Sequence, residues 1–256
     1  MKQGELVWGL HAVREALSAA PERVLEVWVL DGRSDQRMEA LRMLAREHGI
    51  ACQPVRRETL DRMAEGAVHQ GVAARVAPAP ALDENDLQHL LDSLDGPPLL
   101  LVLDGVQDPH NLGACLRSAD AAGAHAVIIP RDRAASLTPA ARKAAAGAAE
   151  TMPLVRVVNL ARCLRMLKAR GIWLIGAEAG APSALEADLA GPLALVLGGE
   201  GAGLRRLTRE TCDLLVSLPM KGRVESLNVS VAAGVLLYQA LRGREEVSRR
   251  DAKTRR

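Results

Sequence analysis

From Leu99 onward, short apolar runs alternate with stretches of 10–15 residues that have helical spacing, and this alternation most restricts the fold. Leu99–Leu103 is a near-continuous apolar run, the pattern of a strand buried on both faces. Asn111–Ala122 follows as a helix, with Leu112, Cys115, Leu116 and Ala119 on one side. Ala126–Ile129, Leu154–Val157, Trp173–Ile175, Leu193–Leu197 and Leu214–Ser217 supply further strands. Pro139–Ala148, Asn159–Ala169 and Val229–Leu241 supply further helices. Strands separated by helices of this length predict an α/β domain with a mostly parallel sheet.

The preceding residues form a smaller unit. Val24–Leu30, Ile50–Val55 and Gly71–Val76 read as strands; Asp35–Glu47 and Arg57–Glu65 read as helices. The result is a small α/β domain over residues 1–77, in which eleven basic residues balance eleven acidic ones. Ala77-Pro78-Ala79-Pro80-Ala81 then predicts a stiff connection, since two prolines in five residues disfavour helix. Leu82–Leu94 predicts a short acidic helix, and Gly96-Pro97-Pro98 breaks the chain again. The expected division is therefore a domain over 1–77, a linker over 78–98, a second domain over 99–243 and a flexible basic tail over 244–256.

Composition removes several classes of function. Apolar residues make up 48 % of the chain, yet there is no Phe, one Tyr and only three Trp, so the core must be Leu, Val, Ala and Ile. Proteins that stack bases on aromatic platforms are built otherwise. Net charge is +2, too small to mark a nucleic-acid binder by itself. From Arg242 to Arg256, however, seven basic residues accompany three acidic ones, either a solvated end or an arm for phosphates. Four widely spaced cysteines without a Cys-x-x-Cys pair argue against zinc and disulfides and suit reduced thiols in a cytoplasm. Met-Lys-Gln-Gly-Glu lacks the apolar run of a signal peptide, and no apolar run is long enough to span a bilayer. The expectation is a cytoplasmic protein without a membrane partner.

Three distant segments carry polar groups at the edges of apolar elements. Asp104–Asn111 lies where the first strand of the second domain ends, where ligands of open α/β sheets bind. Asn111 suits the helix N-cap, or a site. Gly113 lies one turn from Arg117, and a helical glycine, at a cost of roughly 1 kcal/mol against alanine, suggests close approach by something. Leu197-Gly198-Gly199-Glu200-Gly201-Ala202-Gly203 is glycine-rich but has neither P-loop nor dinucleotide-binding spacing. Glu200 is either a turn carboxylate or a polar ligand of the site. In Ser226-Leu227-Asn228, Ser226 and Asn228 share one side of an extended stretch, and Asn228 can also cap the following helix. Neither a serine-hydrolase nor a metal motif is present.

In order and spacing these segments resemble the motifs of the SpoU (TrmH-type) family of RNA 2′-O-ribose methyltransferases: Asn-x-Gly-x-x-x-Arg, Gly-x-Glu-Gly-x-Gly and Pro-Met-x-Gly-x-x-x-Ser-Leu-Asn-Val-Ser-x-Ala. The opening Trp8-Gly9-Leu10-His11-Ala12-Val13-Arg14 resembles the start of the L30e/L7Ae-like RNA-binding domain found in some members. The resemblance implies a SPOUT sheet with a deep trefoil knot, an obligate homodimer and S-adenosylmethionine as methyl donor. It implies a catalytic set of Asn111, Arg117, Glu200, Ser226 and Asn228, with backbone at Gly198, Leu218 and Leu227 holding the adenosyl group. The layout is most similar to members that methylate a guanosine in the peptidyl-tRNA loop of 23S rRNA; tRNA is the competing substrate. A non-catalytic RNA-binding assembly factor is the competing class. The resemblance gives Arg117 the role of base or base-assistant, but a guanidinium with a pKa of about 12.5 or above is better suited to clamping phosphate or steadying an alkoxide.

Overall fold

The structure is a computed structural model and describes residues 4–77, 82–201 and 203–254. The chain separates into two compact units, Met1–Pro80 and Ala81–Arg256. No helix among the described residues is long and apolar enough to cross a membrane.

The first unit contains β1 (Glu5–Trp8), α1 (Leu10–Ala19), β2 (Val24–Leu30), α2 (Gln36–Glu47), β3 (Cys52–Val55), α3 (Arg57–Met63) and β4 (Val72–Val76). Its sheet runs β1-β4-β2-β3, with β3 parallel to β2 and the other pairs antiparallel. Successive residues of a strand face opposite sides. Val27 and Val29 accordingly pack with Val13 and Leu17 of α1 and Met38 and Leu41 of α2, while Trp28 joins Leu60 of α3. β1 and α1 were absent from the predicted elements; β1 is only four residues long and shows no extended alternation.

The second unit begins with α4 (Glu84–Asp92), started by a reciprocal capping box between Asp83 and Asp86. It continues with β5 (Leu99–Asp104), α5 (Pro109–Ala121), β6 (Ala126–Pro130), α6 (Pro139–Ala145), α7 (Ala148–Thr151) and β7 (Leu154–Val157). Then come α8 (Leu160–Ala169), β8 (Trp173–Ala177), β9 (Leu193–Gly198), α9 (Arg206–Thr211), β10 (Leu214–Val216) and α10 (Val229–Thr254). All six strands are parallel, in the order β10-β8-β9-β5-β6-β7. Leu99, Leu101 and Leu103 face α5 and α10 in one core; Leu100 and Val102 face α4 and α8 in the other. Burial on both sides is why β5 is apolar from Leu99 to Leu103. The chain leaves β5 toward β6 on one side and returns to β9 on the other, so the order reverses between β5 and β9, and a crevice opens beyond their carboxyl ends.

Several expectations need correction. The helix predicted over Pro139–Ala148 divides into α6 and α7, because Ala146 takes a left-handed φ of 50°. Asp108, not Asn111, caps α5: its carboxylate accepts from His110 N at 3.0 Å, and Pro109 occupies the first helical position. Residues 78–81 of the expected linker lie outside the described residues. Residues 82–98 include α4, whose Leu87 is buried in the second unit's core. The expected flexible tail is helical through Thr254, and its first residue is anchored. Arg244 donates to the carbonyls of Pro97, Pro98 and Gly191 at 2.7–2.8 Å. Glu245 pairs with Arg249, one turn on, at 3.3 Å.

Candidate active site

Asp104 ends β5 and pairs in register with Gly198 at the end of β9. Its carboxylate is fully buried and would be costly there alone. It accepts from Arg205 N at 3.0 Å and holds the Arg205 guanidinium through a second oxygen. Its backbone carbonyl accepts from Gly199 N at 3.0 Å. One residue thus ties both ends of the Gly199–Arg205 loop. A Cβ on Gly198 would lie 2.0 Å from the carbonyl carbon of Gly203, so glycine is required there for chain to approach chain.

With both its ends fixed, the loop presents Glu200 to α5. Asn111 lies in the first turn of that helix, 7 % exposed. Its Nδ2 donates to Glu200 Oε1 at 2.7 Å. Asn228 Nδ2 donates to Asn111 Oδ1 and to Glu200 Oε1, both at 3.0 Å. The other end of the Asn228 amide accepts from Ser230 N at 2.9 Å and Ser230 Oγ at 2.6 Å, capping α10. Asn228 thus caps α10, as expected, and joins Asn111 and Glu200 as well. Glu200 Oε2 receives no hydrogen bond among the described residues, so this carboxylate is oriented on one oxygen and available on the other. The cluster borders a cavity of about 510 Å³ whose walls include Asp104, Val106, Arg133 and Arg205. That volume is in the range of small-molecule sites.

The remaining residues of the expected set are placed differently. Arg117 is exposed on α5 and has no hydrogen bond or ion pair among the described residues. What approaches Gly113 is α6: a Cβ there would lie 2.2 Å from the Ala141 carbonyl oxygen. Helix packing therefore accounts for this glycine. Beside it, burial pushes the Cys115 thiol up to about 12. Ser226 is exposed and makes no hydrogen bond among the described residues. Leu218 is half-buried against the main core, Gly198 is half-buried, and Leu227 is exposed. The fold thus joins Asn111, Glu200 and Asn228, and leaves Arg117 and Ser226 outside their hydrogen bonds. Asp104 began the segment expected beside a ligand but was not among the expected site residues; Arg133 and Arg205 were not singled out at all. Asp104 alone carried a signal, as a charge closing an apolar strand.

The comparisons with known proteins fit this geometry. The model of the SpoU rRNA Methylase family matches residues 98–238. A model described as RNA 2′-O ribose methyltransferase substrate binding matches residues 6–82. The 23S rRNA (guanosine-2′-O-)-methyltransferase RlmB of Escherichia coli K12 is 54 % identical, over 94 % of this chain and 99 % of its own. RlmB of Pseudomonas putida is 53 % identical, over 96 % and 99 %. Among solved structures, the SpoU methyltransferase AviRb from Streptomyces viridochromogenes, in complex with AdoMet, superposes with a TM-score of 0.75 at 28 % identity, covering 94 % of this chain and 90 % of that one. With its motifs, its parallel sheet and both family models in agreement, the chain belongs to the SpoU rRNA methylase family.

Proposed function

We propose that the protein transfers a methyl group from S-adenosylmethionine to the ribose 2′-oxygen of a guanosine in 23S rRNA. The observation that carries this reading is the Asn111–Glu200–Asn228 cluster at the carboxyl ends of β5 and β9. The names of the full-length relatives support the substrate.

The chain has surfaces that suit the donor. Backbone at Gly198 carries no side chain, and Leu218 and Leu227 offer partly exposed apolar surface for an adenosyl group. When bound, the donor supplies an electrophilic methyl group on a sulfonium. Glu200 Oε2 is available to accept a hydrogen bond from the 2′-hydroxyl, while Asn111 and Asn228 keep the carboxylate from turning. Holding the reacting oxygen in line supplies much of the acceleration. Arg117, without a hydrogen bond or ion pair among the described residues, is suited to steadying the developing alkoxide or a neighbouring phosphate. Ser226 completes the set beside the ribose.

The same reading includes a homodimer, so that Arg117 acts in a partner's site. Val231, Val235 and Tyr238 are 40–53 % exposed on α10 at helical spacing, an apolar stripe suited to a second copy. It includes a trefoil knot as well, as the family resemblance implies. The four cysteines are free thiols, as suits a cytoplasmic enzyme.

The test is transfer of labelled methyl to 23S rRNA and to tRNA, with the modified position mapped. Label on one guanosine 2′-oxygen of 23S rRNA is expected. Methylated tRNA with untouched rRNA would overturn the substrate, and transfer to neither would overturn the activity.

A further inference from the structure

The cavity beside the amide–carboxylate cluster is bordered by two arginines of different standing. Arg205 is committed to the buried carboxylate of Asp104. Arg133 has no hydrogen bond or ion pair among the described residues. Its acidic neighbour, Asp132, lies instead 4.0 Å from Arg131. Arg133 also has a left-handed φ of 58°, which costs a non-glycine residue roughly 1–2 kcal/mol. Glycine or asparagine would be the natural choice there if only the turn mattered. The loop is not loose: Ala135 N donates to Val106 O at 2.8 Å, tying it to the strand-end loop beneath the cavity. A strained backbone therefore keeps an exposed cation, unpaired among the described residues, at the edge of a cavity that Glu200 also lines.

We propose that Arg133 binds a phosphodiester of the RNA next to the ribose that receives the methyl group. The inference rests on the methyltransferase reading and adds to it the group that registers the RNA backbone in the cavity. A guanidinium matches two phosphate oxygens at once, which a lysine cannot do. A phosphate held there brings the adjoining sugar toward Glu200, and the Glu200 charge discourages the phosphate itself from moving past the sugar position. No base contact is involved, so Arg133 acts on register and affinity and leaves sequence preference to other surfaces.

The experiment compares wild type with Arg133→Gly and Arg133→Lys. Glycine accepts the left-handed backbone, so Arg133→Gly should melt at the wild-type temperature or above. Its kcat/KM for the rRNA fragment should fall about 10- to 100-fold, mainly through KM, a loss of the size expected for a phosphate contact to a cation. Its affinity for S-adenosylmethionine should be unchanged. In fluorescence anisotropy with the same RNA, the slope of log K against log salt should shrink by about 0.7–0.9, one phosphate contact. Arg133→Lys should restore the slope and part of the KM. An unchanged slope, with or without lost activity, would overturn the inference, as would weakened S-adenosylmethionine binding. Should wild type transfer no methyl group, the proposed function falls, and the salt slope still decides the role of Arg133.

Discussion

At the scale of single residues, the site depends on which groups are already committed. Glu200 is held through Oε1 by two amides. Glu200→Gln keeps the shape but loses the charge, and should lower methyl transfer about 100-fold or more while S-adenosylmethionine binding and melting temperature stay near wild type. Single-turnover transfer and calorimetry would check this. Asp104 is different, because its buried carboxylate holds the loop that carries Glu200. Asp104→Ala should cost about 2–3 kcal/mol in urea unfolding, below the range for a fully buried pair because half of the Arg205 side chain reaches solvent. The thiols give a further test. Burial pushes Cys115 and Cys163 up to about 12, so both stay protonated at pH 8. Neither should react with iodoacetamide until the protein unfolds, as mass spectrometry with and without urea would show.

At the scale of elements, contact between helices identifies what approaches Gly113. Gly113→Ala gains helix propensity but drives a methyl group against the Ala141 carbonyl, so it should destabilise the protein by about 1–3 kcal/mol. Equilibrium unfolding would measure it. The alternation of apolar runs and helices after Leu99 was legible in the sequence, because strands buried on both faces need unbroken apolar residues. Less legible was what depends on partners far along the chain. Asn111 read as a cap or a site residue, although Asp108-Pro109 is itself a helix-start signature. Its actual partners lie 89 and 117 residues away, a pairing that local pattern cannot reveal. The motifs grouped Asn111, Arg117, Glu200, Ser226 and Asn228 without showing who holds whom: the fold joins three of the five. The end of α10 looked like a tail because its charges hide the helical pairing of Glu245 with Arg249.

At the scale of the whole molecule, acid stability should report one histidine. Leu99 N donates to His125 Nδ1 at 3.0 Å, and burial, followed by the nearby Arg244 guanidinium, lowers the His125 pKa below its ordinary 6.5. The native state therefore takes up this proton less readily than the unfolded chain. Its contribution is complete above about pH 6.5 and is lost as pH falls below that value. Urea midpoints at pH 7.5 and 5.5 should show a smaller difference in His125→Gln than in wild type. Arg244 bears on more than stability. α10 starts at Asn228, beside the carboxyl end of β5, and at Arg244 it grips Pro97 and Pro98, just ahead of the amino end of that strand. The sixteen residue steps from Asn228 to Arg244 span about 24 Å at 1.5 Å each. The helix is thus a strut pinned at both ends of the central strand, and slack introduced at the far pin has one place to go. Arg244→Ala should slow methyl transfer from some 24 Å away, with lysine a poor substitute because a single ammonium nitrogen would replace the two guanidinium nitrogens that share the three carbonyls.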